Sequence, residues 1–171
     1  MNGAQTIDTT DHRELIAHWF AEHQAGLAYY LVRLTGDEEQ AAELLQDTFV
    51  RALDAMRKGV PPANPYAWLH RIATNLAYNA FRRRNRFRWL PLSGHEREAD
   101  LEQGVVLADT VRRCLSRLGA KEAEALLLYE YGGLSCIEIA RLTGEEPSTI
   151  RVRVFRARER FRSLYEKERN A

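Results

Sequence analysis

Cysteine is scarce in this chain: there are two, Cys114 and Cys136. No Cys-x-x-Cys and no histidine pair at ligand spacing stands beside them to complete a zinc tetrahedron. Both fall among apolar helical positions and are expected to be reduced core residues. No apolar run approaches the length of a membrane span, and the N-terminus lacks a basic-then-apolar signal pattern. The expectation is a cytoplasmic protein with no membrane insertion. The histidines, His12, His18, His23, His70 and His95, are scattered and form no His-Glu-x-x-His; there is no P-loop and no Gly-x-Gly-x-x-Gly. Glu38-Glu39 and Glu145-Glu146 stand at helix starts, where the helix dipole accounts for them. No enzyme, cofactor or metal is expected. Strand alternation and internal repeats are also missing, which leaves an all-α chain.

Net charge is lacking too, at +1 from 25 basic and 24 acidic residues. Taken alone, that argues against nucleic acid. The distribution reverses the inference. Residues 1–60 hold five basic and ten acidic residues, and residues 61–92 hold six basic and none acidic. Residues 93–110 hold one basic and five acidic, residues 111–146 five and six, and residues 147–171 eight and three. Two basic blocks are separated by acidic stretches, and patches rather than totals set the local potential.

At 171 residues, 45% hydrophobic, the chain suits one domain or two small ones. Residues 1–11 are polar and expected to be disordered. A helical pattern runs from Glu14 to Thr35, with Leu15, Trp19, Leu27, Leu31 and Leu34 among its apolar members. Gly36-Asp37 breaks it. From Glu38 to Arg57, Leu45, Phe49, Ala52 and Met56 form one predicted stripe. Lys58 to Asn64 reads as a structured loop. Asn64 then caps and Pro65 starts a long helix to Arg86, with Leu69, Ile72 and Leu76 facing a core. Residues 91–104 lack apolar periodicity and read as a flexible linker. Helices follow near Val105–Leu118 and Lys121–Tyr131. The predicted fold is therefore two small helical domains, 12–90 and 105–171. Their tether permits either mutual packing or independent drift.

The last third carries the sharpest motif. Ser135 and Glu138 are spaced as a capping box, Gly144 stops that helix, and Pro147 opens another. Two helices joined by a short glycine-containing turn make a helix-turn-helix signature. In the second helix Ile150, Val154, Ala157, Phe161 and Leu164 form an apolar stripe flanked by arginines. Ser148, Thr149, Arg151, Val152 and Arg156 then face outward near the N-terminus, where recognition helices read a major groove. The other basic block, Arg82-Arg83-Arg84-Asn85-Arg86-Phe87-Arg88-Trp89, continues a face of Arg71, Asn75, Tyr78 and Arg82. Cations, an amide and flat rings on one face suit a single strand with unstacked bases. For Trp68, burial beside Leu69 and Ile72 and base contact both remain open.

Three segments together resemble the bacterial extracytoplasmic-function (group IV) sigma factors, over roughly residues 14–166. They are Leu34-Thr35-Gly36-Asp37-Glu38 through Phe49; Ala67-Trp68-Leu69-His70-Arg71-Ile72-Ala73-Thr74-Asn75 through Asn79 with the arginine run; and Glu138-Ile139-Ala140 with Ser148-Thr149-Ile150-Arg151-Val152-Arg153. The resemblance implies an N-terminal domain that docks on core RNA polymerase through Gln46, Asp47 and Arg51. It implies that the same domain captures the non-template strand of the minus-ten element. In the family the loop before the long helix, here Lys58 to Asn64, accepts a flipped base, and Asn75, Asn79, Arg82 and Arg83 lie where the family contacts that strand; Asn64 and Trp68 are counted with them as candidate contacts. The C-terminal domain, with Arg153 in its motif, is implied to bind the minus-thirty-five duplex of promoter DNA. An anti-sigma factor is the implied regulator, and one anchored in a membrane would hold the chain there. Two positions depart from the family pattern, which commonly has Asp where this chain has Leu44 and Asn79. Two other functions remain open: a helix-turn-helix repressor or activator that never enters polymerase, and a sigma-like adaptor that no longer opens promoters.

Overall fold

The computed structural model describes residues 9–59, 61–87 and 103–170. Seven helices are found among them: α1 (Thr9–Thr35), α2 (Glu38–Met56), α3 (Pro65–Phe87), α4 (Gln103–Ser116), α5 (Ala120–Glu130), α6 (Cys136–Thr143) and α7 (Pro147–Arg169). Helix α1 starts at Thr9, within the segment expected to be disordered. Helix α4 starts at Gln103, inside the expected linker; the rest of that linker to residue 102, and residues 88–90 before it, lie outside the described residues.

The breaks are chemically explicit. Helix α1 ends against Gly36, whose φ of 66° is left-handed. Asp37 then caps α2 by accepting from the Gln40 amide at 3.1 Å. Asn64 caps α3 by accepting from the Ala67 amide at 3.0 Å, and Pro65 is the first helical residue. The expected capping box is present in α6, with the Glu138 amide donating to Ser135 Oγ and the Ser135 amide donating to the Glu138 carboxylate. Gly144 ends α6 at φ 69°, and Pro147 begins α7.

Helices α1, α2 and α3 pack on one another as a bundle, and α4 to α7 form the second helical part. The buried stripe of α2 is Ala41, Leu44, Thr48, Phe49, Ala52 and Met56. Phe49, Ala52 and Met56 are as expected, but Leu45 is half-buried and Ala41, Leu44 and Thr48 complete the stripe. Thr48 hid the pattern: its hydroxyl donates back to Leu44 O at 2.6 Å, which lets a polar residue sit at 0% exposure.

The two parts pack against each other. Helix α3 packs on α4, α5 and α6 as well as on α1 and α2. One apolar cluster joins Leu27, Leu31, Leu69 and Phe81 to Leu115, Leu118, Leu126 and Leu127. A second cluster inside the helix-turn-helix, built on Leu128, Ile139, Ile150 and Val154, takes in Ala67 from α3. Each fully buried leucine contributes about 1.5–3 kcal/mol relative to exposure.

Candidate nucleic-acid interface

Helix α7 turns its apolar stripe inward. Ile150, Val154 and Ala157 are buried, with Phe161 and Leu164 half-buried behind them. Ser148, Thr149, Arg151, Val152 and Arg156 are exposed on the opposite side. Among the described residues neither Arg151 nor Arg156 is held in an ion pair. Arg153 differs. Its Nη1 donates to Glu145 Oε1 at 3.1 Å and its Nη2 to Glu145 Oε2, and only 16% of its side chain is exposed. The fork braces the turn before the helix, and the same hydrogen bonds hold the Glu145 carboxyl below its ordinary pKa. Arg158 pairs with Glu130 and lies over the Tyr129 ring at 5.1 Å. Glu122, from the first turn of α5, joins Ser148, Thr149, Val152, Arg153 and Arg156 in lining a surface groove of about 420 Å³.

The α3 residues divide into two sets. Asn79, Arg82 and Arg83 are exposed. With Arg51 and Lys58, the residues Trp68, Asn75 and Asn79 line an open groove of about 440 Å³ between α2 and α3. Trp68 is half-buried, its ring edge-on to Trp19 at 6.2 Å, so it both packs and borders the groove. Arg71, Asn75 and Tyr78 are engaged by the other half of the chain. Arg71 Nε donates to Glu124 Oε1 at 2.8 Å and its Nη1 to Leu142 O at 2.6 Å. Asn75 Nδ2 donates to the same Glu124 oxygen at 2.9 Å. The Tyr78 hydroxyl donates to Leu118 O at 2.7 Å, and its ring is 4% exposed, with burial raising its pKa. The aromatic read as a base platform is thus core in this conformation. Asn64 is exposed at the rim of a cleft of about 590 Å³ with Pro62, Ala63, Pro65 and Trp68, faced by Glu138, Arg141 and Leu142 of α6.

Gln46, Asp47 and Arg51 share the exposed side of α2. Val50, 59% exposed, lies between them.

Residues 19–87 match sigma-70 region 2, and residues 108–161 match sigma-70 region 4. The ECF RNA polymerase sigma factor SigM of Mycobacterium tuberculosis is 32% identical over 85% of this chain and 74% of its own length. The chain belongs to the ECF sigma factors. ECF sigma factor SigE of Mycolicibacterium smegmatis is 29% identical over 96% of the chain and 68% of its own length. Among solved structures, the sigma factor RpoE in complex with the anti-sigma factor NepR from Bartonella quintana aligns with a TM-score of 0.52 at 25% identity, covering 88% of this chain and 96% of that one. CnrH in complex with the cytosolic domain of CnrY shares the fold, with a TM-score of 0.58 at 23% identity over 93% and 92% of the two chains.

As a sigma factor the chain directs RNA polymerase to promoters. Two exposed residues of this sigma factor, Phe155 and Val50, and half-buried Glu122 escaped the sequence reading. Phe155 is 63% exposed on α7, one position past buried Val154 and off the apolar stripe, so helical periodicity marks it as outward-facing. Val50 was hidden because an isolated valine in a helix reads as core. Glu122 gave no signal in the sequence, because its nearness to α7 depends on tertiary packing.

Proposed function

We infer that this sigma factor divides promoter opening among three surfaces. The exposed side of α2, with Gln46, Asp47 and Arg51 around Val50, docks on core RNA polymerase; an apolar centre rimmed by charge suits such a contact. The α3 groove and the loop before it take the non-template strand of the minus-ten element, with Asn64 and Trp68 at the mouth of the base-accepting cleft. Arg71, Asn75, Tyr78, Asn79, Arg82 and Arg83 supply donors and charge along it. Helix α7 enters the minus-thirty-five major groove with Ser148, Thr149, Arg151, Val152 and Arg156. There Arg153 acts by positioning the turn, and Glu122 caps α5 by accepting from the Gly119 amide and pairs with Arg160. The polymerase supplies the chemistry, and this chain contributes no catalytic group.

The observation that carries this assignment is the pairing of exposed Arg151 and Arg156 on α7 with the exposed Asn79-Arg82-Arg83 edge of α3, in a chain that has sigma regions 2 and 4 in order. The Bartonella quintana likeness, a sigma factor bound to an anti-sigma protein, supports an anti-sigma regulator here. A cytoplasmic location, or a membrane-tethered one through such a regulator, accords with the described residues, where no helix is long and apolar enough to cross a membrane. We place the linker between the DNA-binding halves at residues 91–104, the last two of which already belong to α4.

Run-off transcription with purified core polymerase and a promoter library tests the assignment. Specific start sites are expected, and core that initiates at random with the chain present rules it out. Replacing Asn79 by Asp sets a carboxylate beside Arg82 and Arg83 near the strand. At about 0.5–1 kcal/mol of added repulsion across a solvent-exposed contact, promoter affinity should fall two- to fivefold or base preference should shift. Unchanged affinity and preference across promoter variants would remove Asn79 from the strand contact.

A further inference from the structure

We propose that Val152 selects a thymine in the minus-thirty-five element, by laying its methyl groups against the thymine methyl in the major groove. The proposal rests on the docking of α7 in that groove. Val152 is 49% exposed on the outward face of α7, and it packs in neither apolar cluster of the described residues. It lines the α7 surface groove with Ser148, Thr149, Arg153 and Arg156. Phe155, three residues on and 63% exposed, continues the apolar strip. The other side chains on this face are hydroxyls and guanidinia, which hydrogen-bond base edges or phosphates. Valine can do neither. A β-branched residue is also a weaker helix former than alanine, leucine or arginine. Core packing and helix formation therefore both leave Val152 unaccounted for.

Among the DNA bases only thymine carries a methyl group on its major-groove edge. In a helix valine keeps essentially a single χ1 rotamer, so its methyls are aimed before DNA arrives and little freedom is lost on contact. The contact also rejects. Against cytosine, Val152 would cover the N4 amine and offer it no acceptor, so the amine would lose water without replacement. Ser148, Val152 and Arg156 follow one another at steps of four, which sets them in one row along α7. Four residues rise about 6 Å, a little under two base steps of about 3.4 Å each. With α7 lying along the groove, the thymine therefore falls within about two base pairs of the base read by exposed Arg156. A guanine edge suits that guanidinium fork.

Holoenzyme assembled from core and the full chain is bound to a promoter recovered by run-off. Each thymidine of its minus-thirty-five element, on either strand, is replaced in turn by deoxyuridine. The exchange keeps base pairing and removes only the methyl group. Affinity is read by competition against the labelled parent duplex. At one position the wild-type holoenzyme is expected to lose about three- to fourfold, the effect of burying one methyl. Val152→Ala puts a good helix former at an exposed site, so its fold should hold, which circular dichroism checks. That variant should bind the parent duplex about three- to fourfold more weakly and lose nothing further from the exchange. No sensitive position in the wild type, or a penalty of equal size in Val152→Ala, overturns the thymine contact. Specific starts from the wild-type holoenzyme then leave the sigma assignment standing. Loss of those starts, or Arg151→Ala and Arg156→Ala variants that bind every duplex as the wild type does, strikes the docking of α7 itself and the thymine contact with it.

Discussion

Leu44 shows how a single position can mislead when only its neighbours in sequence are known. It interrupts a pattern in which the family commonly has an acid, and it sits two residues from Gln46 on a helix implied to dock on polymerase. The structure buries it at 6% exposure in the α2 stripe, so its work is packing. Leu44→Asp places a carboxylate among apolar groups and also removes the leucine volume. It should cost at least about 3 kcal/mol in urea unfolding, whereas Leu44→Met should stay within about 1.5 kcal/mol. An Asp variant that unfolds at the wild-type urea midpoint and loses only affinity for core would return Leu44 to the docking face. Arg153 gives the complementary lesson. Its place in the recognition motif was legible, but its fork onto Glu145 was not, because that contact depends on how the turn folds back over the helix.

Helix boundaries were legible because their chemistry is local. Ser135 with Glu138, Asn64 with Pro65, and Gly144 with Pro147 each fix an end through groups a few residues apart. Gly144 holds φ at 69°, and a Cβ built there meets nothing within 4 Å. The cost of Gly144→Ala is therefore backbone strain alone, about 1–2 kcal/mol, read as a lower denaturation midpoint at unchanged slope. Within α3, His70 is 3% exposed; its Nδ1–H donates to Tyr66 O at 2.9 Å, and its ring lies against Tyr66 and Tyr30. Burial lowers its pKa, assisted by nearby His23 and opposed by the Tyr66 carbonyl. The unfolded chain takes up a proton near pH 6.5 that the native imidazole refuses, so the unfolded state binds more protons below that value. Stability from this group is complete above about pH 6.5 and is lost as pH falls toward the lowered native pKa. The melting temperature should therefore drop between neutral and mildly acidic pH, and His70→Gln should flatten that slope. Equal slopes for the two proteins would assign the acid sensitivity to other groups.

At the scale of the whole molecule, the sequence marked two basic blocks and two helical halves but not their union. Composition and periodicity report which face of a helix is apolar, not which helix covers it. The stripe of α5 could have closed a small C-terminal core; instead Leu126 and Leu127 share a cluster with Leu27, Leu31 and Leu69. The Glu124 contacts to Arg71 and Asn75 follow from that docking. A continuous core predicts that the halves unfold together, and the tryptophans can report it. Trp19 and Trp68 lie in the N-terminal half, and Trp89, outside the described residues, is replaced by Phe in the reporter background. Leu127→Ala in α5, at a site with 0% exposure, should cost about 2–5 kcal/mol. For a chain of this size each kcal/mol lowers the melting temperature by about 2–4 °C. The tryptophan-reported transition should consequently fall by about 4–20 °C, although the substitution is in the other half, and should coincide with the helical signal in circular dichroism. Were the tryptophan transition to stay in place while part of the helical signal melted early, the halves would be independent folding units and the shared core would not couple them.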